Sequence, residues 1–502
     1  MFKILKIILP LSVALYLLLF FLLWPFYKYI FDTDAVAYLS IAEHYASLNF
    51  SAAVNGLWSP LHSWIAVPFI KLGFNTFYIF KISNAFFACG ILWLFHRLLI
   101  RLAMKPQLII ISMFTVIIIN LQYAYFEVGA DLLVTFLLLT YIDITAREDF
   151  YINKNKNILA GIIGAIAYFA KSYAFPFFIF HYIFLHLWLN KNKIQWQIML
   201  WGLSAFFLLC LPWIYLLHLK YGGWNFSYHL QNGLGWIPDF RSDTYFFPPP
   251  HNQATSWWED PLSVGLNYQN PFQSLWHVLQ FGRMILFNFQ MWLNMIFKIS
   301  FLAPAIIFVL FVRSFNTKNF IFRYYVLLFL IFSFGYILLH VELRFFWFFS
   351  FCLLFIGVIF LNNALKSSSF NKKQITLSWL IFFGSFLIEP INELKDSIGK
   401  QKDVFELSTT LKLKGFNGDF GSNAEMDKCM ILAYLNRCRY YAPVPGKSSP
   451  LSYLQSAYKS RQSNFLFFYQ SAIEKAAFSQ TEIVQKSSIV QEIAPGVIWI
   501  KF

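Results

Sequence analysis

Long apolar runs separated by short polar gaps fill the first 389 residues of the chain. A run of about 20 apolar residues forms a helix long enough to cross a bilayer. Runs of this kind, some of them shorter, predict eleven transmembrane helices. The predicted spans are residues 4–27, 76–96, 107–125, 129–144, 158–170, 173–189, 196–218, 291–312, 321–340, 345–362 and 375–389.

The stretch 28–75 lies between the first two predicted spans and has a different pattern. Apolar residues recur there at helical spacing, which predicts an amphipathic helix; they are Ala35, Tyr38, Ile41, Ala42 and Tyr45. After a turn at Pro60, the apolar segment 61–72 is too short to span a bilayer. We expect both segments to be helices in the membrane interface, within the first outer loop.

Two further regions are not membrane spans. Residues 220–290 form a second large outer loop, polar and Pro-rich to about residue 271 and amphipathic over 272–290. From residue 390 onward, glycines and prolines punctuate short apolar runs, which predicts a small α/β domain over 390–502. Its predicted helices are 404–413, 424–436 and 450–460, and its predicted strands are 417–420, 439–443, 464–469, 489–493 and 496–501. Residues 1–389 would form the membrane domain.

Composition agrees with a membrane protein. Only 13% of the residues are charged, against about 25% in ordinary soluble domains. The net charge of +15 would suggest a nucleic-acid partner in a soluble protein. Here the basic residues occupy the gaps between apolar runs, so we expect no nucleic-acid partner. Lys3 and Lys6 come before a long apolar run that has no small-residue cleavage site, which indicates an uncleaved helix.

The distribution of basic residues also predicts the orientation, because loops on the cytoplasmic side are enriched in Lys and Arg. With a cytoplasmic N-terminus, the inward segments carry Lys3, Lys6, Arg97, Arg101, Lys105, Arg147, Lys154, Lys156, Lys191, Lys193, Arg313, Lys318, Arg323, Lys366, Lys372 and Lys373. The short outward segments carry chiefly Lys28, Lys71, Lys171 and Arg344. We therefore expect a multi-pass protein of the inner or plasma membrane, with residues 390–502 outside the cytoplasm.

Four carboxylates fall on the predicted outer surface. Asp32 and Asp34 follow the first span, and Asp34 is placed to cap a helix that begins at Ala35. Glu127 and Asp131 lie at the outward end of the third span and the start of the fourth, where a tight turn with a helix-start acid is the simpler interpretation. Carboxylates brought together suggest either a shifted pKa or a shared cation. Oxygen ligands suit Mg²⁺ or Mn²⁺, and the ligands would be Asp34, Glu127 and Asp131.

Basic groups share that surface. Lys171, His340 and Arg344 could together hold a phosphate, with Arg344 binding in bidentate fashion. Alternatively, Lys171 is a membrane anchor and Arg344 pairs with Glu342. Trp257 and Trp258 could stack on a sugar, although interface and packing roles are more common for tryptophan in membrane proteins.

The order of several short motifs resembles the GT-C glycosyltransferases, in the family 39-like branch of protein O-mannosyltransferases and lipid A aminoarabinose transferase. The motifs are Asp34-Ala-Val-Ala-Tyr38 with Ile41-Ala42, Trp58-Ser-Pro60-Leu61, Gly129-Ala-Asp131-Leu-Leu, Ala170-Lys171-Ser-Tyr and Glu342-Leu-Arg344-Phe. They fall in matching order over roughly residues 1–365. The family often has two adjacent acids at the first motif, whereas Thr33 separates the pair here.

The resemblance implies an inverting glycosyltransferase that takes a sugar from a polyprenyl-phosphate donor at the outer membrane face. By this resemblance Asp34 is the catalytic base, with Asp32 as the alternative, and Glu127 and Asp131 form a supporting acidic site. The resemblance carries the binding of the donor phosphate to Lys171 or Arg344, and His340 is a further candidate from its place beside Arg344. Candidate substrate contacts are Tyr38, Trp58 and His62, although a histidine such as His62 is more often structural. The acceptor, whether protein, lipid or glycan, is left open.

Two other classes of function fit the same pattern. A transporter or flippase for a lipid-linked saccharide would use the acids for coupling or for substrate contact. A polysaccharide polymerase or ligase would also need a large outer loop. Product chemistry separates these classes, because a flippase forms no new glycosidic bond, and the size of the donor separates a polymerase from a single-sugar transferase.

Overall fold

The computed structural model describes residues 2–189, 195–228, 245–264, 271–317, 319–367, 371–444 and 449–502. Three of the predicted inward basic residues, Lys191, Lys193 and Lys318, lie outside the described residues, as do parts of the 220–290 loop.

Helices dominate the first 396 residues. In chain order they are α1 (Phe2–Tyr27), α2 (Thr33–Ala46), α3 (Phe50–Ala53), α4 (Leu61–Lys71), α5 (Thr76–Arg101), α6 (Pro106–Phe126), α7 (Asp131–Thr145), α8 (Lys154–Ala170), α9 (Ala174–Phe184), α10 (Trp196–Tyr221), α11 (Leu275–Ile299), α12 (Ala303–Asn316), α13 (Phe320–Ile337), α14 (Trp347–Ser367) and α15 (Lys372–Asp396). A π-helical turn, Leu185–Leu189, extends α9, and a 3₁₀ turn, Leu343–Phe346, precedes α14.

Seven helices among the described residues are long and apolar enough to cross a membrane, and the bent pair α11–α12 could provide an eighth span. The chain is therefore a multi-pass membrane protein. The other predicted spans are also helical, but α7 has 15 residues, α8 has 17 and α9 has 11 before its π-helical turn. These lengths lie at or below the short end of the range for a membrane-spanning helix.

The predicted span over 291–312 is formed by parts of two helices and not by one. The chain bends by 102° between α11 and α12. Ser300 ends α11 in an extended conformation, and Pro304 lies in the first turn of α12. Proline is tolerated in a first turn but not in a helix interior, so this sequence starts a new helix although it stays apolar. The predicted amphipathic stretch 272–290 is the first part of α11.

Helix α2 is buried over more of its surface than the predicted apolar face. Both the apolar positions of the predicted face and most residues between them are buried, including Val36, Ala37 and Leu39. Helix α4 packs on α2 from the membrane part, and a helix of the C-terminal region and the Trp257–Glu259 turn cover it elsewhere. The spacing of apolar residues in α2 cannot show that positions outside the predicted apolar face are covered by distant parts of the chain.

The C-terminal region contains α16 (Lys402–Leu413), α17 (Met426–Asn436), α18 (Pro450–Lys459), α19 (Ala472–Ser479) and α20 (Glu482–Lys486). Its strands are β2 (Phe420–Ser422), β3 (Tyr440–Pro443), β4 (Asn464–Phe468), β5 (Ile489–Ala494) and β6 (Val497–Lys501). The outer loop adds β1 (Phe246–Phe247), and the six strands lie in the order β1-β3-β2-β4-β6-β5. Strand β2 is parallel to β3 and β4, and the other pairs are antiparallel. The sheet confirms the predicted α/β character of this region, whereas α19, α20 and β1 were not predicted.

The C-terminal region is attached to the first outer loop by side chains. Glu43 on α2 accepts hydrogen bonds from Thr76, at 2.9 Å, and from Tyr434 on α17, at 2.7 Å. The Gln401 side chain bonds to both backbone polar groups of Phe31. Because β1 also joins the outer loop to this sheet, α2 is enclosed between the helical bundle and the C-terminal region.

Candidate active site

The start of α2 is fixed by Asp32. This residue is the N-cap, in an extended conformation, and its Oδ1 accepts a hydrogen bond from the Ala35 amide at 2.8 Å. The prediction that Asp34 caps a helix beginning at Ala35 is therefore wrong, because the helix already begins at Thr33. The carboxylate of Asp34 lies one position inside the first turn and is available for other partners.

Arg344 contacts carboxylates from four positions in the chain. Its guanidinium forms an ion pair with Asp34, lies 3.3 Å from Asp32 and 3.0 Å from Glu127, and donates to Glu342 at 2.6 Å. The 3₁₀ turn before α14 places the arginine, the first outer loop supplies two acids, and the α6–α7 turn supplies Glu127. Sequence-distant residues thus form one site, in which four carboxylates share the charge of one arginine.

Lys171 neutralises the fourth predicted acid. It lies between α8 and α9 and forms an ion pair with Asp131, the first residue of α7. Its ammonium also lies 3.9 Å from the centroid of the Phe345 ring, and Arg344 lies 5.4 Å from the same centroid. The two cations therefore flank one aromatic side chain. We call Asp32, Asp34, Glu127 and Asp131 the acid cluster.

Glu127 lies in the turn between α6 and α7, in close contact with Gly129. Its Oε1 accepts the Gly129 amide at 3.1 Å, and a Cβ on Gly129 would lie 2.9 Å from this oxygen. Burial, and after it the charge of Asp32, raises the pKa of Glu127 well above its usual range. Arg344 opposes this increase but shares its single charge among several acids. Glu127 is accordingly a group that holds a proton more readily than an exposed glutamate.

His340 and Glu342 lie beside Arg344. His340 Nε2 lies 2.8 Å from Glu342 Oε1. Burial disfavours the ionised form of Glu342, but His340 and Arg344 outweigh it and lower the pKa of Glu342 to about 2. Glu342 is therefore ionised and holds the guanidinium of Arg344 by its Nε. His340 lies beside the site through this contact with Glu342.

Trp258 is a member of the site that the sequence did not reveal. Its indole Nε1 donates to Asp34 Oδ1 at 2.8 Å, while its carbonyl oxygen accepts from Trp58 Nε1 at 2.9 Å. The pair of tryptophans was noted in the sequence, but 224 positions separate Trp258 from Asp34. A second missed residue is Lys81 on α5, which is fully buried and donates to the Tyr125 carbonyl at 2.7 Å.

The three predicted substrate contacts are largely enclosed. Tyr38 and Trp58 are 7% and 5% exposed, and their rings pack edge to face. His62 is fully buried, with Nδ1 3.0 Å from the Gly129 carbonyl oxygen and Nε2 2.6 Å from Ser83 Oγ. Burial lowers the pKa of His62 to about 3, so the ring is neutral. His62 therefore supports the turn that carries Glu127.

The acid cluster does not match a free site for a divalent cation. Asp34 and Glu127 both contact Arg344, and Asp131 contacts Lys171. A metal ion at these three carboxylates would have to displace Arg344 and Lys171.

Comparison with solved structures identifies the fold. No protein-family model matches the chain, and no curated protein matches it in sequence. Among solved structures, the fold matches membrane glycosyltransferases of the GT-C class. This likeness confirms the predicted GT-C-like fold.

The particular matches are two states of one enzyme and a second enzyme. ArnT from Cupriavidus metallidurans in the apo state is 9% identical, with a TM-score of 0.55 and 97% of each chain covered. ArnT bound to undecaprenyl phosphate is 11% identical, with a TM-score of 0.55 and 98% and 97% coverage. The Archaeoglobus fulgidus oligosaccharyltransferase in complex with Zn and sulfate is 13% identical, with a TM-score of 0.56, covering 92% of this chain and 68% of that chain.

Proposed function

We propose that this protein is an inverting glycosyltransferase that moves a hexosyl or pentosyl group from a polyprenyl-phosphate donor to an acceptor outside the cytoplasm. One observation carries the proposal: Arg344 and Lys171, from separate segments, meet four acids from the first outer loop and the α6–α7 turn. The proposed orientation has a cytoplasmic N-terminus. The fold is shared with ArnT, one structure of which contains undecaprenyl phosphate.

The proposed reaction is a single displacement. Asp34 takes the proton from the acceptor hydroxyl while the acceptor oxygen bonds to the anomeric carbon. The bond between that carbon and the phosphate oxygen breaks, and the departing phosphate gains a negative charge. No general acid is needed, because a phosphate is already a good leaving group. No carboxylate nucleophile is needed either, unlike in a retaining hydrolase.

Arg344 and Lys171 would hold the donor phosphate. An arginine can bind a phosphate through two parallel hydrogen bonds, while a lysine acts as a point charge. A phosphate that draws Arg344 away from Asp34 would break their ion pair and leave this carboxylate free to face the acceptor hydroxyl. Donor binding would therefore free the base, and Asp32, Glu127 and Asp131 would keep the two cations oriented. His340 would contribute through Glu342.

Mg²⁺ or Mn²⁺ is not required by this scheme. The cations that stabilise the departing phosphate are Arg344 and Lys171, which already lie at the acid cluster. A divalent ion would join the site only in exchange for one of them.

Donor binding should also change the packing near Arg344. A cavity of about 20 Å³, with room for about one water molecule, is lined in part by Tyr123, Leu343 and Pro390. A prenyl chain that enters there would have to separate α6, α14 and α15.

We propose further that residues 390–502 form a domain that, together with β1 of the 220–290 loop, covers α2 and limits access to the acid cluster.

The direct test is Asp34→Asn in membranes supplied with a radiolabelled polyprenyl-phosphate sugar and an extract of envelope acceptors. We expect a loss of about a hundredfold or more in labelled glycosidic product, the usual contribution of a positioned base. Asp403→Asn, on the exposed surface of α16, is the matched control and should retain activity. Full transfer by Asp34→Asn, or relocation of the donor without any glycosidic product, would contradict the proposal.

A further inference from the structure

A second group of ionisable side chains lies at the other end of α2. His44 is in the last turn of that helix, and His251 and Glu259 belong to the outer loop. The Nε2 atom of His44 lies 3.3 Å from Glu259 Oε2, and that of His251 lies 4.0 Å from the same oxygen. One ligand atom from each residue lies within 4.8 Å of the other two. We call these three residues the histidine cluster.

The carboxylate of Glu259 is held in one orientation. It is 2% exposed, and its Oε1 accepts hydrogen bonds from the amide and the hydroxyl of Thr255, at 2.5 and 2.6 Å. The other oxygen, Oε2, is thereby directed toward both imidazoles. His44 is 6% exposed, and the side chain of His251 is 31% exposed. The cluster is thus pre-organised from one side and reached from solvent beside His251.

The distances are too long for two good hydrogen bonds but suit three ligands around one ion. Hydrogen bonds from nitrogen to oxygen are about 2.7–3.2 Å long, and a separation of 4.0 Å is not one. Zinc binds histidine nitrogen and carboxylate oxygen at about 2.0–2.2 Å in a tetrahedron, which places ligand atoms roughly 3.4 Å apart. Small movements of His251 would bring all three atoms to that spacing.

We propose that His44, His251 and Glu259 bind one divalent transition-metal ion, with Zn²⁺ as the best match to two imidazoles and one carboxylate. The fourth position would hold water on the exposed side of His251. Thr255 would be the outer partner that orients the carboxylate.

This ion would be structural with respect to the acid cluster. His44 and Asp34 are ten positions apart on one helix, which corresponds to about 15 Å. Glu259 directly follows Trp258, the residue that donates to Asp34. The ion would therefore fix the Trp257–Glu259 turn on α2 and keep the Trp258 indole in position.

The test uses the purified full chain in detergent, stripped with a chelator and reloaded with ZnCl₂ alone. Mass spectrometry of the bound metal should give about one zinc per chain. In His251→Asn and Glu259→Gln, we expect at least tenfold weaker zinc binding. His277→Asn changes a partly exposed histidine near the start of α11, which lies 2.7 Å from Ser274 Oγ, and it should bind zinc like the unchanged chain.

Co²⁺ provides a readout that does not depend on activity. Replacement of zinc by Co²⁺ should give the visible absorption of a tetrahedral site in the unchanged chain and in His277→Asn, and this absorption should be lost in His251→Asn. His251 is the most exposed ligand, so this variant should remain folded, which circular dichroism checks. Failure of the unchanged chain to bind zinc, or equal binding by His251→Asn, would overturn the proposal and leave an ion pair of His44 with Glu259.

Discussion

The two ends of α2 carry clusters of charge that are balanced in different ways. At the N-terminal end, the acid cluster is paired with two side-chain cations, Arg344 and Lys171. At the C-terminal end, Glu259 is buried between two imidazoles that, by our proposal, share a bound ion. A side-chain cation can transfer to a substrate phosphate and return, whereas a coordinated ion keeps its ligands in place. This difference suggests that the N-terminal end of α2 carries out the reaction, while the C-terminal end holds the Trp257–Glu259 turn in position.

Among the substitutions that test this difference, removal of the Arg344 side chain should lower the rate of transfer the most. In Arg344→Ala, several carboxylates lose their common partner, and the donor phosphate loses its bidentate ligand. We expect transfer to fall by about a hundred- to a thousandfold, as when a charge-stabilising group is removed from an active site. Arg344→Lys keeps the charge but not the planar fork, and should recover only part of the activity. Initial rates with radiolabelled donor measure both.

Arg283→Ala is the control for this experiment, because Arg283 lies exposed on α11. Zinc content supplies a second readout. If the two ends of α2 act separately, Arg344→Ala should still bind zinc normally. Loss of zinc together with loss of transfer would instead indicate a general disturbance of α2.

The parts of the fold that the sequence could predict are those set by local pattern. The predicted helix 404–413 is α16, and the predicted strand 464–469 is β4 within one or two residues. By contrast, β1 is a two-residue strand that exists because it pairs with Ala442 and Pro443, which no local pattern can show. The bend before α12 had a local signal in Pro304, but the surrounding hydropathy concealed it.

The candidate site divides in the same way. The acids could be listed from their positions at the ends of apolar runs, and Arg344 and Lys171 from their exceptional place on the outward side. The partners could not be assigned, since Arg344 is 310 positions from Asp34 in the chain. The pairing of Trp258 with Asp34 depends on the fold of the whole outer loop over α2. Which acid caps the helix was decided by the backbone conformation of Asp32, which a sequence with two nearby aspartates leaves open.

Trp258 joins the two ends of α2, so Trp258→Phe tests their connection. The ring stays, but the hydrogen bond to Asp34 is lost. A hydrogen bond to a charged group contributes about 1.5–3 kcal/mol, and we expect roughly a tenfold loss of transfer, mainly in the turnover rate. Trp257→Phe, which leaves the Asp34 contact in place, is the matched control.

In the unchanged chain zinc removal should lower transfer, whereas in Trp258→Phe it should have little further effect. If zinc removal lowers transfer equally in the unchanged chain and in Trp258→Phe, the histidine cluster does not act on Asp34 through Trp258.

The smallest expected effect is on thermal stability and concerns the contact of Arg344 with Glu342. The pKa of Glu342 is lowered to about 2, so its ionised form stabilises the folded chain at neutral pH. This contribution is complete above the usual pKa of a glutamate and is lost as the pH falls from there toward 2. Glu342 is partly exposed, so Glu342→Gln should lower the midpoint of thermal unfolding at pH 7 by only about 1 °C. Between pH 5 and pH 3, the unfolding midpoint should fall less steeply in this variant than in the unchanged chain, as measured by scanning fluorimetry. Glu406→Gln, on the surface of α16, should keep the original slope. An unchanged slope in Glu342→Gln would mean that Glu342 does not help to hold Arg344 and that the acid cluster alone orients its guanidinium.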